Sequence, residues 1–396
     1  MSGKTRTLHI DAVALALVAA IVLLGLIMVT SASISIASKE SGNAFSYLER
    51  QLVLCVIGFV LAGMVFCIRT EYLEKMAWPL LIAAVAMLFF VLIPGLGHVV
   101  NGSRRWIRVL GFNFQASELA RVLVLIFIAS YAVRREAQLR STAVGLVKPI
   151  GLLMFIALLL LAEPDFGAAS VLFIAGFGIL FIAGARLRYV LIAAAGGAGA
   201  MALLVMLVPY RMARVTSFLD PWADPFNSGF QLTQSLIAIG RGEWFGVGLG
   251  ESVQKLFYLP EAHTDFLFAV LAEELGLVGV VFTLALFIAL VWRSFWIAQL
   301  AARAGLRFQS YLAAGFGLWL GAQALINIGV NMGVLPTKGL TLPLMSYGRS
   351  SMIVTLAWIG LLLRVYHEAM QNTRGMASVR RADEDARPAR VAGAMA

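Results

Sequence analysis

Asp265 stands at the end of a polar loop and at the mouth of a long apolar segment, in the run Leu256-Phe257-Tyr258-Leu259-Pro260-Glu261-Ala262-His263-Thr264-Asp265-Phe266. A carboxylate in that position is half-desolvated, which raises its pKa and suits it to accept a proton as a general base. Asp at a helix N-terminus is also a common cap, so a structural role competes for the same residue. Glu261 and His263 lie close enough in sequence to tune it. His263 is the only histidine in this long loop and, standing alone, a weak metal ligand.

Cationic groups that could face such a base are clustered. Asn101-Gly102-Ser103-Arg104-Arg105-Trp106-Ile107-Arg108 puts three arginines and a tryptophan in eight residues. The guanidinium fork suits phosphate oxygens, and tryptophan can stack on a sugar ring. Trp and Arg also favour the headgroup layer, so an interfacial belt is the plain alternative. In Phe114-Gln115-Ala116-Ser117-Glu118-Leu119-Ala120-Arg121, Glu118 and Arg121 share a helix face and can pair, either to fix packing or to meet substrate. Glu163-Pro164-Asp165-Phe166-Gly167 places two carboxylates at a proline-broken junction, with a structural or gating role favoured. Leu335-Pro336-Thr337-Lys338-Gly339-Leu340-Thr341-Leu342-Pro343, with Ser346-Tyr347-Gly348-Arg349-Ser350-Ser351, offers a lysine and small hydroxyls to an anion. Snorkelling is the alternative for Lys338.

The elements that must position these groups are membrane spans. Of 396 residues, 61% are hydrophobic and 13% charged, about half the charged fraction of a soluble domain. Stretches of about 20 apolar residues fall near 12–34, 51–68, 76–94, 117–133, 148–162, 167–184, 187–208, 265–292, 309–332 and 349–367. The two beside Glu163-Pro164-Asp165 are short and close, so separate helices and one broken hairpin both remain open. Lys4 and Arg6 precede an apolar run too long for a signal peptide, so it reads as a retained first span. With ten spans both termini share a side, and that side holds nineteen of the 31 Lys and Arg against eleven opposite, which assigns it to the cytoplasm. The long loops, 95–116, 209–264 and 333–348, then lie outside. Residues 1–370 form the polytopic domain, and 371–396 read as a disordered cytoplasmic tail. The net charge of +10 sits at the ends of apolar segments, so membrane lipid is the expected partner and nucleic acid is not. Cys55 and Cys67 indicate neither a disulfide framework nor a metal cluster.

Taken together, these motifs resemble the SEDS family (shape, elongation, division and sporulation), and most closely its cell-division branch. The resemblance covers about residues 10–370, and the Ser252–Phe266 block is its most specific part. Three positions depart from the usual pattern: Ala116 stands where proline is common, Arg121 where lysine is common, and Arg349 where a second glycine is common. The last bears on the shape of that turn. The resemblance implies an all-α membrane fold of about ten helices and a peptidoglycan glycosyltransferase that polymerises lipid II at the outer face of the bacterial cytoplasmic membrane, at the division septum. It implies Asp265 as the essential carboxylate and a role for Trp106. It also implies a class B penicillin-binding transpeptidase and other divisome proteins as partners, and a divalent cation (Mg or Mn) with no organic cofactor. The substrate-binding set expected is Arg104, Arg105, Trp106, Arg108, Glu118, Arg121, His263, Thr264, Lys338 and Ser350, with no metal ligand assigned. A lipid II transporter is the competing class, and a division scaffold a third. Polar residues concentrated on one side favour the polymerase, because alternating access needs gates on both.

Overall fold

A helix rising about 1.5 Å per residue crosses a hydrocarbon core of about 30 Å only if it is long and apolar. The computed structural model describes residues 8–100, 103–109, 112–142, 144–206, 212, 216–227, 229–337 and 339–394. Among these, seven helices are long and apolar enough to cross, and three shorter apolar helices join them. This is a multi-pass membrane protein of about ten spans, as the apolar runs predict.

In chain order the helices are α1 (Ala12–Ser41), α2 (Ser46–Cys67), α3 (Thr70–Lys75), α4 (Ala77–Leu92), α5 (Ala116–Arg134), α6 (Glu136–Ser141), α7 (Val144–Ala162), α8 (Phe166–Ile182), α9 (Leu187–Met206), α10 (Phe230–Arg241), α11 (Leu267–Arg303), α12 (Arg307–Asn331) and α13 (Arg349–Ala394). Glu163-Pro164-Asp165 separates α7 from α8, so these two spans are distinct helices. Asp165 caps α8, accepting from the backbone N–H of Ala168 at 2.9 Å. The last helix, which begins at Arg349, continues to Ala394.

Two features depart from the sequence reading. The first is a three-stranded antiparallel sheet, β1 (His98–Val100), β2 (Ser103–Val109) and β3 (Phe112–Gln115), in what reads as an outer loop. Its central strand is hidden in the sequence because cations stand on both faces. Alternation puts Arg104, Trp106 and Arg108 on one face and Arg105 and Ile107 on the other.

The second is a break inside α11. Gly276 adopts φ 63 and ψ −162, so the span predicted over 265–292 is a short helix from Leu267 followed by a longer one. The broken backbone is satisfied from the loop before it. The N–H groups of Val247 and Gly248 donate to the carbonyls of Glu273 and Glu274, and those of Leu277 and Val278 donate to Glu243 and Trp244. Irregular backbone at membrane depth survives where protein supplies its partners. Contact is so close that a Cβ on Gly276 would lie 2.3 Å from the Gly246 nitrogen.

Side-chain pairing ties each end of the bundle together separately. At the end assigned to the cytoplasm, Arg293 forks onto Asp11 at 2.8 and 3.1 Å, while Asp11 caps α1. Glu368 accepts from the Thr70 backbone at 3.1 Å and from Arg364 at 2.7 Å. At the other end, loops and helix ends bond to one another around Asp265.

A candidate catalytic site at the outer ends of the helices

Asp265 ends the loop just before α11 and is half-buried. Its backbone is fixed from several directions. The carbonyl accepts from Nδ2 of Asn327 at 2.9 Å and Nδ2 of Asn331 at 3.0 Å. Two residues earlier, the His263 carbonyl accepts from the backbone N–H of Tyr347 at 3.0 Å. Glu261 takes a left-handed φ of 56, rare for a side chain of that size. Its carbonyl accepts from the N–H groups of Thr264 and Phe266, which closes a tight turn under Asp265. Gly339 approaches from the 333–348 loop, where a Cβ would stand 3.2 Å from Oδ2 of Asp265.

His263 sits among rings, 4.8 Å from Tyr47 and 5.7 Å from Tyr347 between centroids. Burial pushes its pKa down and outweighs the opposite pull of Glu261 and Glu40. The ring thus packs against Tyr47 and Tyr347 in a setting that disfavours its charged form. Thr264 turns its hydroxyl back to Glu261, donating to Oε2 at 2.6 Å.

Glu118 and Arg121 pair at 2.5 Å and are buried in α5. Arg121 also donates to Oε1 of Gln323 at 3.3 Å, and Gln323 donates to the Thr341 carbonyl at 3.2 Å. The ion pair is thus wired to the loop that faces Asp265. Asp165 accepts from Gln115 at 3.0 Å and Ser117 at 2.8 Å, which binds the Glu163–Gly167 turn to the start of α5. Ser350 is buried and accepts the backbone N–H of Gln115 at 2.7 Å, so its hydroxyl pins the end of β3 to α13.

On the hairpin, Arg104 donates to the Leu92 carbonyl at 3.4 Å and Arg108 is exposed. Arg105 lies 6.0 Å from the Trp106 ring centroid and close enough to Glu163 to lower its pKa. Desolvation dominates there, and Glu163, in the turn between α7 and α8, is pushed up to about 9. Lys338, Asn101, Gly102, Tyr210, Arg211 and Arg214 lie outside the described residues.

Two further carboxylates, Glu273 and Glu274, are buried in α11. Glu273 accepts from Ser252 at 2.5 Å, from the backbone N–H of Val253 at 3.2 Å and from Arg241 at 3.3 Å. Glu274 accepts from Lys255 at 2.8 Å and Ser31 at 2.7 Å, and Lys255 donates onward to the Gly250 carbonyl. Side by side just before Gly276, they clamp the Gly-rich loop onto α11 and α1. Two adjacent glutamates and a glycine inside an apolar run are a signal in themselves, since intramembrane charge is costly.

Comparison with known proteins identifies the family. The family model described as "cell cycle protein", which covers FtsW, RodA and SpoVE, matches residues 11–371. The chain belongs to this SEDS family. A probable peptidoglycan glycosyltransferase FtsW of Thioalkalivibrio sulfidiphilus is 55% identical over 349 residues, 88% of this chain and 87% of that protein. One from Hahella chejuensis is 49% identical over 369 residues, 93% of each. Among solved structures, a chain of a peptidoglycan synthase complex, described as coordinating polymerisation and crosslinking, aligns with TM-score 0.73 at 35% identity, covering 92% of this chain and all of that one. The rod-shape-determining protein RodA of Thermus thermophilus aligns with TM-score 0.68 at 32% identity, covering 91% and 97%. Identity is higher to these proteins named FtsW than to RodA, so this SEDS chain sits with the FtsW branch.

The departure at Arg349 is accommodated simply. Arg349 opens α13 and is not among the residues with positive φ; the left-handed position in that turn belongs to Leu344. A glycine is not required where arginine stands.

Proposed function

We propose that this SEDS protein is a peptidoglycan glycosyltransferase that polymerises lipid II into glycan strands at the outer face of the bacterial cytoplasmic membrane, in septal wall synthesis during division. The observation that carries the reading is the convergence on Asp265. Three outer segments, the Ser252–Phe266 block, the 333–348 loop and the polar face of α12, meet at Asp265: the α12 amides hold its backbone carbonyl, and Gly339 faces its carboxylate. The names of the relatives point to the same chemistry.

Asp265 takes the proton from the 4-hydroxyl of the acceptor GlcNAc as that oxygen attacks the anomeric carbon of the donor. The bond from that carbon to the undecaprenyl pyrophosphate breaks, and its electron pair leaves with the pyrophosphate. One displacement inverts the anomeric centre and needs one base. The departing negative charge calls for fixed cations. Arg104 and Arg108, on the same sheet face as Trp106, supply two of them beside a ring that can stack on sugar, with Arg105 on the opposite face and Lys338 next to Gly339. Among the described residues no group of three or more His, Cys, Asp or Glu could cage a metal. Mg²⁺ is commonly held by one or two carboxylates and by substrate phosphates, so a divalent cation, Mg or Mn, would belong to the pyrophosphate substrate. A class B penicillin-binding transpeptidase is the partner that would crosslink the strands.

The test is polymerisation in detergent, where no membrane sidedness remains. The purified protein with its transpeptidase partner is given lipid II, and products are resolved by gel. Glycan ladders support the reading. Their absence, under conditions where a control polymerase makes them, together with lipid II translocation in vesicles, would replace it with a transporter.

A further inference from the structure

Three carboxamides stand on one stripe of α12 at intervals of four, Gln323, Asn327 and Asn331, and all three are buried. A buried amide without partners is costly, so each must be engaged. Gln323 serves the Arg121 side of the site. The other two converge on Asp265. Nδ2 of Asn327 donates to the carbonyls of Asp265 at 2.9 Å and Leu340 at 2.6 Å. Nδ2 of Asn331 donates to the carbonyls of Asp265 at 3.0 Å and Asn327 at 2.9 Å. All these neighbours are carbonyls, so only the amide nitrogens can face them, and the two lone pairs of the Asp265 carbonyl are both taken.

The clamp reaches both sides of the carboxylate. Leu340 follows Gly339, the residue whose α-carbon faces Oδ2 of Asp265. Asn327 therefore ties the segment that carries the carboxylate to the segment that confronts it. Oδ1 of Asn331 accepts from the backbone N–H of Ala269 at 3.1 Å, in the first turn of α11. Phe266, the cap position, makes no side-chain cap bond, so α12 fills the role an N-cap side chain ordinarily plays. Asn331 is itself held in depth, because its carbonyl accepts from Ser235 of α10 at 2.8 Å.

We propose that Asn327 and Asn331 are positioning residues for glycosyl transfer, clamping the carbonyl of Asp265 so that its carboxylate stands where the acceptor hydroxyl is deprotonated. This rests on the reading of Asp265 as the base. A misplacement of about 1 Å at a reacting group can cost about 100-fold in rate.

The experiment uses the full chain in complex with its transpeptidase partner, with lipid II polymerisation as the readout. Asn327→Ala, Asn331→Ala and the double variant are compared with wild type and with Asp265→Ala. The clamp predicts that each single variant loses about 10- to 100-fold in kcat, with KM for lipid II unchanged. It also predicts that this loss persists at temperatures well below the thermal midpoint of each variant. Packing alone would lower the thermal midpoint but leave kcat at the wild-type level well below it; that result, or wild-type kcat in both single variants with no change in midpoint, would overturn the proposal. If the alanine variants do not purify as folded protein, Asn327→Ser and Asn331→Ser take their place; a serine hydroxyl can bond back to its own helix but is too short to reach Asp265. The two ideas fail separately. Wild-type activity in Asp265→Ala removes the base assignment whatever the amides do. An inactive Asp265→Ala beside fully active asparagine variants removes only the clamp.

Discussion

Gly339 and Asp265 meet across the candidate site, with room for a hydrogen on the Gly339 α-carbon but not comfortably for a methyl group: a Cβ there would stand 3.2 Å from Oδ2 of Asp265. Gly339→Ala is expected to push the carboxylate by a few tenths of an ångström. The polymerisation rate should fall about 10-fold, while the thermal midpoint in detergent stays near that of wild type. A wild-type rate would mean that the carboxylate moves freely and that its position is not critical.

The break in α11 makes a prediction about folding. Gly276 has φ 63 and its missing Cβ would collide with the backbone of Trp244, Phe245 and Gly246. Gly276→Ala should destabilise the protein by about 3 kcal/mol or more, combining backbone strain with displacement of the loop. Gly63 is the control, since a Cβ there meets nothing within 4 Å. Thermal unfolding in detergent compares the two, and equal midpoints would contradict the backbone contact.

Lys255 and Glu274 form a buried ion pair at 2.8 Å, with side chains 7% and 0% exposed. Lys255→Met leaves a buried carboxylate with Ser31 alone and should cost about 3–5 kcal/mol. Lys255→Met combined with Glu274→Met should recover most of that loss, because the desolvation of both charges disappears. A double variant no more stable than the single one would show that the pair contributes through geometry, not charge balance.

The pH dependence of stability is set in part by Glu163. Its pKa stands at about 9 in the folded protein, raised from 4.5 chiefly by burial and then by Asp165. The folded state keeps a proton that the unfolded chain releases, so this group's contribution falls as pH rises through that window. Glu163→Gln keeps a neutral donor at all pH values. Its thermal midpoint should decline less than that of wild type as pH rises toward 9, and parallel curves would contradict the assignment.

The spans were legible because an apolar run of membrane length is costly anywhere but in a bilayer, and Asp265 because a carboxylate closing a polar block before such a run is conspicuous. The hairpin was not. Ser103-Arg104-Arg105-Trp106-Ile107-Arg108 alternates in structure, but arginines on both faces erase the period-two pattern. Gly276 is inconspicuous in sequence because the apolar run continues on either side of it, and only Glu273-Glu274 marks the place. The Asn327 and Asn331 clamp shows in sequence only as amides at spacing four, with nothing to say that their partner is the backbone 62 and 66 residues earlier. Ser350 reads in sequence as one of a run of small hydroxyls, and nothing there shows that its oxygen accepts from the backbone N–H of Gln115. His263 reads as a neighbour of Asp265 in sequence, and its ring contacts with Tyr47 and Tyr347 come from segments far away in the chain.

The central claim is that Asp265 is the base of glycan polymerisation, and lipid II turnover by Asp265→Ala and Asp265→Asn, in complex with the transpeptidase partner, tests it most directly. Removing one general base is expected to cost at least about 100-fold. Both variants should therefore make no detectable glycan ladder, while they fold, bind the partner and retain labelled lipid II as wild type does. Polymer formed by either variant at the wild-type rate would contradict the account.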